Sequence, residues 1–298
     1  MTLKKKFALA TALVVLGALA SLILIKPTAV PDEPLPNPNG YDDFLKAASL
    51  LNVNRPDWQS LQGEEQLVVL RSLIATNQAA LDQVRMGLIK ECRVVPWEVN
   101  ATNGADLSDL ANNKALAQSF AAASRLALIE GRTNEAAALA LDCIRFGNES
   151  MRGGVLIHGL VGIAIKNIGL SSLKSAIHGM DLESTRKVLS ALDEVASQSE
   201  SSDDILKRER QWARRGRFGP AGIFTQLVQP FLNRKALEKG RQKFIKIESD
   251  LDRMKLRAAV HAYKLDHGRP PAAAADLVPH YLKSIPLDAT TGKELPLD

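Results

Sequence analysis

Six cationic side chains, Lys207, Arg208, Arg210, Arg214, Arg215 and Arg217, crowd around Trp212 against one acid, Glu209. Clustered cations beside an aromatic ring suit phosphate-rich or acidic surfaces, so this stretch is a candidate contact for an anionic partner or lipid head groups. The alternative is a solvated basic face on an exposed helix. Other reactive residues are more scattered. The histidines stand at 158, 178, 261, 267 and 280, and none pairs with another at the i, i+4 spacing by which one helical face grips a metal. His158 and His261 are expected in the core, and His267 as a cap or ion-pair partner at a helix end. Thr290, Thr291, Gly292, Lys293 and Glu294 resemble part of a phosphate loop, but the leading glycine is missing and Glu294 replaces the magnesium-binding hydroxyl. That segment reads as a turn. No G-x-S-x-G elbow and no glycine-rich dinucleotide loop occurs, so no cofactor is expected and a non-catalytic role is favoured over an enzyme.

The elements that must position these residues begin with a leader. Residues 7–25 are uncharged and mostly apolar, directly behind Lys4, Lys5 and Lys6. At about 1.5 Å per helical residue they span roughly 28 Å, close to the hydrocarbon thickness of a bilayer. Three lysines before the run and only Lys26 after it orient residues 1–26 as a single-pass signal-anchor, which is expected to place the body outside the cytoplasm, on the periplasmic side of a cell inner membrane. The competing arrangement is cleavage after Ala20, at the Ala18-Leu19-Ala20 site, although residues 21–25 continue the apolar run. Either way the body is exported, which argues against nucleic acid as the basic stretch's partner. Residues 27–40 carry Pro27, Pro31, Pro34, Pro36 and Pro38 and should form an extended, semi-rigid spacer.

The composition is ordinary for a globular chain, at 46% hydrophobic and 24% charged residues. The net charge of +5 is unevenly spread: residues 1–200 carry 19 basic and 21 acidic groups, residues 201–298 carry 19 and 12. Cys92 and Cys143 are the only cysteines, and they read either as a disulfide in an oxidising compartment or as two buried free thiols.

Residues 41–200 are rich in alanine and leucine with apolar positions every three or four residues, which predicts an irregular stack of α-helices. Leu116, Phe120, Ala123 and Ala127 make one stripe, and Ala136, Leu139, Cys143 and Phe146 the next. Gly131 is suited to a helix C-cap between them, and Thr133 or Asn134 to an N-cap, giving an antiparallel hairpin. Residues 155–165 read as a buried core helix too short to cross a membrane. Asp181 is expected to cap the helix that follows, and the polar residues 197–204 mark a boundary before the basic region, 201–230. A long helix is expected from Phe231 to Asp266, with Leu237, Gly240, Phe244, Ile247, Leu251, Met254, Ala258, His261 and Leu265 at the spacing of a heptad seam. That seam could pack on the body or pair with a second copy as a homodimer. Gly268 ends the helix, Pro270 and Pro271 prevent its resumption, and residues 276–282 form a turn whose Leu277, Val278, Tyr281 and Leu282 pack back.

Within this last region, 231–298, Tyr263, Asp266, Gly268, Pro271, Leu277, Pro286, Asp288 and Gly292 fall in the order found after the long helix of type II secretion major pseudopilins, which the stretch resembles. It departs from them in Ala289 where proline is usual, and the leader has Lys6 and Thr11 where a prepilin has glycine and glutamate. The hairpin around Gly131 also resembles a tetratricopeptide unit. The whole layout is similar to uncharacterised membrane-anchored helical proteins of bacteria. The expectation is therefore a mainly α protein with a transmembrane helix, a helical stack, a long helix and a turn-rich end. Its expected role is to hold a protein partner in the envelope, the alternatives being a hydrolase-like enzyme with a site between helices or an accessory of a secretion apparatus.

Overall fold

The computed structural model describes residues 34–52, 56–95, 108–215, 220–288 and 291–297, without the side chains of 213–215 and 220–233. The expected anchor at 7–25 lies outside the described residues, as does Arg217.

The chain is mainly α-helical, with α1 (Gly40–Leu50), α2 (Gly63–Leu88), α3 (Ser108–Ile129), α4 (Thr133–Glu149), α5 (Leu156–Ala176), α6 (Leu182–Gln198), α7 (Ser202–Arg215) and α8 (Pro220–His267). Short 3₁₀ turns follow α5 and α8, at Ile177–Gly179 and Ala274–Leu277. Among the described residues the only β feature is an isolated antiparallel bridge between Leu287 and Glu294.

Alanine on facing stripes lets α3 and α4 close as the expected hairpin, and both stripes are buried along their length. Gly131 adopts φ +75° at the turn, a conformation only glycine reaches without strain. The N-cap of α4 is Arg132 rather than Thr133 or Asn134. Asn134 instead donates to Asp181 at 2.6 Å, and Asp181 caps α6 as expected by accepting from the Ser184 amide at 2.7 Å.

The closest packing in the body is between α4 and α5. Here Gly147 faces Gly162: a Cβ at 147 would lie 2.8 Å from the Gly162 carbonyl oxygen, and one at 162 would lie 2.6 Å from that of Gly147. The backbones therefore touch. Helix α5 is longer than the apolar run 155–165 suggested, and Leu156–Gly179 is long and apolar enough to cross a membrane. Here it is a packed helix: half of that window is buried, and it meets α3, α4 and α8.

The middle of the α8 seam is covered within the chain, while Leu265 at its end is exposed. Phe244, Ile247, Leu251, Met254 and Ala258 are buried, and α8 packs on α5 and α6. A Cβ at Gly159 would come within 2.5 Å of the Phe244 ring, so α5 accepts that ring only by lacking one. The helix begins earlier than Phe231, at Pro220, so Pro230 stands inside it and not ahead of it. Proline removes one amide donor from a helix but does not forbid the helical φ, which is why it misleads as a start signal. Gly268, at φ +68°, ends α8, and Leu277 and Leu282 are buried behind it as expected. Arg186 and Tyr281 converge on Asp266 at 2.9 and 2.6 Å, tying the last turn of α8 to α6 and to the C-terminal segment.

At the other end of the body, Asn39 caps α1 and clamps a distant strand of chain. Its Oδ1 accepts from the amides of Tyr41 at 3.2 Å and Arg93 at 2.9 Å, while its Nδ2 donates to the Arg93 carbonyl at 2.8 Å. Asn39→Ala should cost about 2 kcal/mol, because it removes a cap and leaves part-buried backbone groups unmade. Asn39→Asp, which keeps the acceptor and loses the donor, should fall between the two in urea unfolding; equal losses for both variants would refute the clamp.

Candidate functional site

A groove of about 700 Å³ opens where the ends of four segments meet. Helix α2 and the residues after it bring Arg85, Ile89, Lys90, Glu91 and Arg93; α4 and its turn bring Asp142, Arg145, Asn148, Glu149 and Arg152; α6 and its exit bring Glu194, Gln198 and Glu200; α7 brings Arg208. Its size is that of a pocket for a small ligand or a peptide segment.

The charges in it are arranged in pairs across element boundaries. Arg85 Nε lies 2.8 Å from Asp142, Arg145 Nη2 3.5 Å from Glu194, and Arg208 Nη1 2.6 Å from Glu200. Arg152 grips Glu149 through two hydrogen bonds of 2.7 Å and donates to the Gln198 carbonyl at the end of α6 at 3.0 Å. Hydrogen bonding to Glu149 holds the Arg152 guanidinium above its ordinary pKa. Pairs this exposed to water add little to stability. They do fix the positions of guanidinium and carboxylate groups along one wall, and so present alternating donors and acceptors to whatever lies in the groove.

The basic stretch is divided by the fold. Among the described side chains of the stretch, Arg208 lines the groove, and its Nε also donates to the Gly154 carbonyl at 2.9 Å. Lys207 and Arg210 are exposed on the opposite side of α7, and Trp212 is half-buried. Arg214 and Arg215 stand on the last turn of α7 with side chains outside the described residues. Glu209, the lone acid, accepts from the Leu156 amide at 3.0 Å, where a carboxylate complements the positive end of α5. Among the described side chains of the stretch, Arg208 and Glu209 tie α7 to its neighbours, and Lys207 and Arg210 face water.

Behind the groove wall sits Lys166, 4% exposed. Its Nζ lies 3.2 Å from Ser199 Oγ, which is 2.9 Å from Asn148 Oδ1 and 2.8 Å from the Val195 carbonyl oxygen. Burial pulls the Lys166 pKa down to about 8, partly opposed by Glu248 and Glu149. Glu248 on α8 is held above its ordinary pKa, first by burial. The apolar run 155–165 stops one residue short of Lys166, and a lysine on a helix that stays apolar beyond it is the signal in the sequence. The groove left no such signal, since its residues are ordinary surface charges from four separated segments.

His158 is buried, His261 half-buried with Nε2 3.0 Å from the Met180 carbonyl oxygen, and His267 stacks on Tyr263 at 4.1 Å between ring centres. Among the described residues no group of three or more His, Cys, Asp or Glu is placed to hold a metal ion. Cys92 and Cys143 are free, buried thiols, and burial raises both pKa values, that of Cys92 to about 12. No family model, curated protein or solved structure matches the chain.

Proposed function

We propose that the protein is a membrane-anchored extracytoplasmic helical module that holds a protein partner in the cell envelope, with the charged groove as the docking surface. The observation that carries this reading is the wall of fixed Arg–carboxylate pairs built by α2, α4, α6 and α7. A partner segment bearing both signs of charge can exchange hydrogen bonds with such a wall without leaving any ion unmatched. Ile89, 79% exposed on the rim, adds an apolar contact. The leader supports the envelope location by its length, its apolarity and the lysines before it.

A photo-crosslinking residue placed at Ile89 in the full chain in cells should give a discrete adduct, whereas the same residue at Lys187, exposed on the outer face of α6, should give none. Arg145→Glu, which sets like charge beside Glu194, should reduce the Ile89 adduct at least fivefold. Equal crosslinking at 89 and 187, or no effect of Arg145→Glu, would count against the groove as the docking surface. A second reading, an envelope hydrolase with its site between helices, draws on Lys166 and Ser199.

A further inference from the structure

We propose that Ser199 and Lys166 form a nucleophile and general-base pair for acyl transfer, acting on an ester or amide that enters through the charged groove. It rests on the second reading above, an envelope hydrolase, which it deepens, and it does not depend on partner binding.

The geometry supplies three parts. Lys166 Nζ donates to Ser199 Oγ at 3.2 Å, and the Ser199 hydroxyl proton faces Asn148 Oδ1 or the Val195 carbonyl oxygen at 2.9 and 2.8 Å, so rotation about the Cβ–Oγ bond in the neutral-amine form turns that proton to Lys166. Ser199 is half-buried at the exit of α6, and the residues on both sides of it, Gln198 and Glu200, line the groove. Asn148, which also lines the groove, holds Ser199 through its Oδ1 at 2.9 Å and is the positioning residue. A buried ammonium has three donors to satisfy, and Ser199 Oγ is its hydrogen-bond partner here. Burial therefore favours the neutral amine, the form a base requires, at a pH where a surface lysine stays charged. The charged groups bearing on Lys166 are Glu248 from α8 and Glu149 and Arg152 from α4 and its turn.

In the step, neutral Lys166 takes the Ser199 hydroxyl proton as Oγ bonds to the carbonyl carbon and the carbonyl π pair moves onto oxygen. Collapse of that oxyanion breaks the bond to the leaving group, which takes the proton from the Lys166 ammonium. Water then attacks the acyl-serine, giving a proton to Lys166 that returns to Ser199 Oγ as the carboxylic acid departs.

The test uses the purified full chain with a fluorophosphonate probe and p-nitrophenyl acetate. The expected result is covalent labelling at Ser199, identified by mass spectrometry, with ester cleavage that rises through an inflection near pH 8. Ser199→Ala and the similarly sized Lys166→Met should each lower both signals at least tenfold while retaining the helical circular dichroism of the parent. Ser199→Cys gives a readout independent of substrate: iodoacetamide should alkylate position 199 and spare buried Cys92 and Cys143. A folded Ser199→Cys protein that resists iodoacetamide, or labelling that persists in Ser199→Ala, would overturn the proposal and leave Lys166 as a structural partner of the α6 end.

Discussion

Gly147→Ala is expected to destabilise the body by about 2 kcal/mol, even though alanine is intrinsically the better helix former by roughly 1 kcal/mol. The sign is decided by what the new methyl group meets. At position 147 it would lie 2.8 Å from both the Gly162 carbonyl oxygen and the Lys166 amide nitrogen, and 2.9 Å from Lys166 Cγ. Two of these are backbone atoms of α5, which cannot step aside as a side-chain tip can. The helices must separate, and separation opens the most extensive contact in the body. Gly147→Val should cost more than Gly147→Ala. Against a typical total of about 5 to 15 kcal/mol, either loss is large. In urea titration the variant midpoint should fall at an unchanged slope. A midpoint at or above that of the parent would show that α4 and α5 can part without cost.

Acid should produce a loss of about 3 kcal/mol between pH 6.5 and pH 4 through a single buried side chain, His158. Burial first, and the nearby Arg208 guanidinium second, push its pKa down from 6.5 to about 4. Between those values the unfolded chain binds a proton that the folded chain refuses, so stability rises with pH across the window and falls as pH drops through it. The structural reason is visible at the start of α5, where His158 Nδ1 accepts from the Val155 amide at 3.4 Å. A protonated ring cannot accept, and its charge would face Arg208 in the clamp that carries α7. His158→Gln keeps an acceptor and removes the titration. Unfolding free energies at pH 7 and pH 4.5 should therefore differ much less in that variant than in the parent; parallel losses in both would place the acid sensitivity elsewhere.

The fold was legible where one pattern governs one helix. The stripes of α3 and α4, the Asp181 cap, the seam of α8 and the glycine that ends it depend on local spacing, and the structure places them where spacing put them. Pro230 misled because a start signal and a tolerated interior proline look alike from the chain alone. The basic stretch was legible as a composition but not as a surface: whether a cation faces water or a neighbouring carboxylate depends on which helix lies alongside. Arg208 and Lys207 are adjacent in sequence and differ entirely in surroundings. The groove was not legible at all, since Arg85, Asp142, Glu194 and Arg208 acquire meaning only when α2, α4, α6 and α7 bring their ends together.

The seat that α8 fills is built from helices made well before it. While the nascent chain grows, the faces of α5 and α6 that will receive Phe244, Ile247, Leu251 and Met254 remain bare until those residues have been translated. A chaperone that keeps the chain extended has a defined interval in which to act. A polypeptide cut short before residue 244 leaves that apolar seat uncovered, and a bare face of this kind favours clumping and proteolysis.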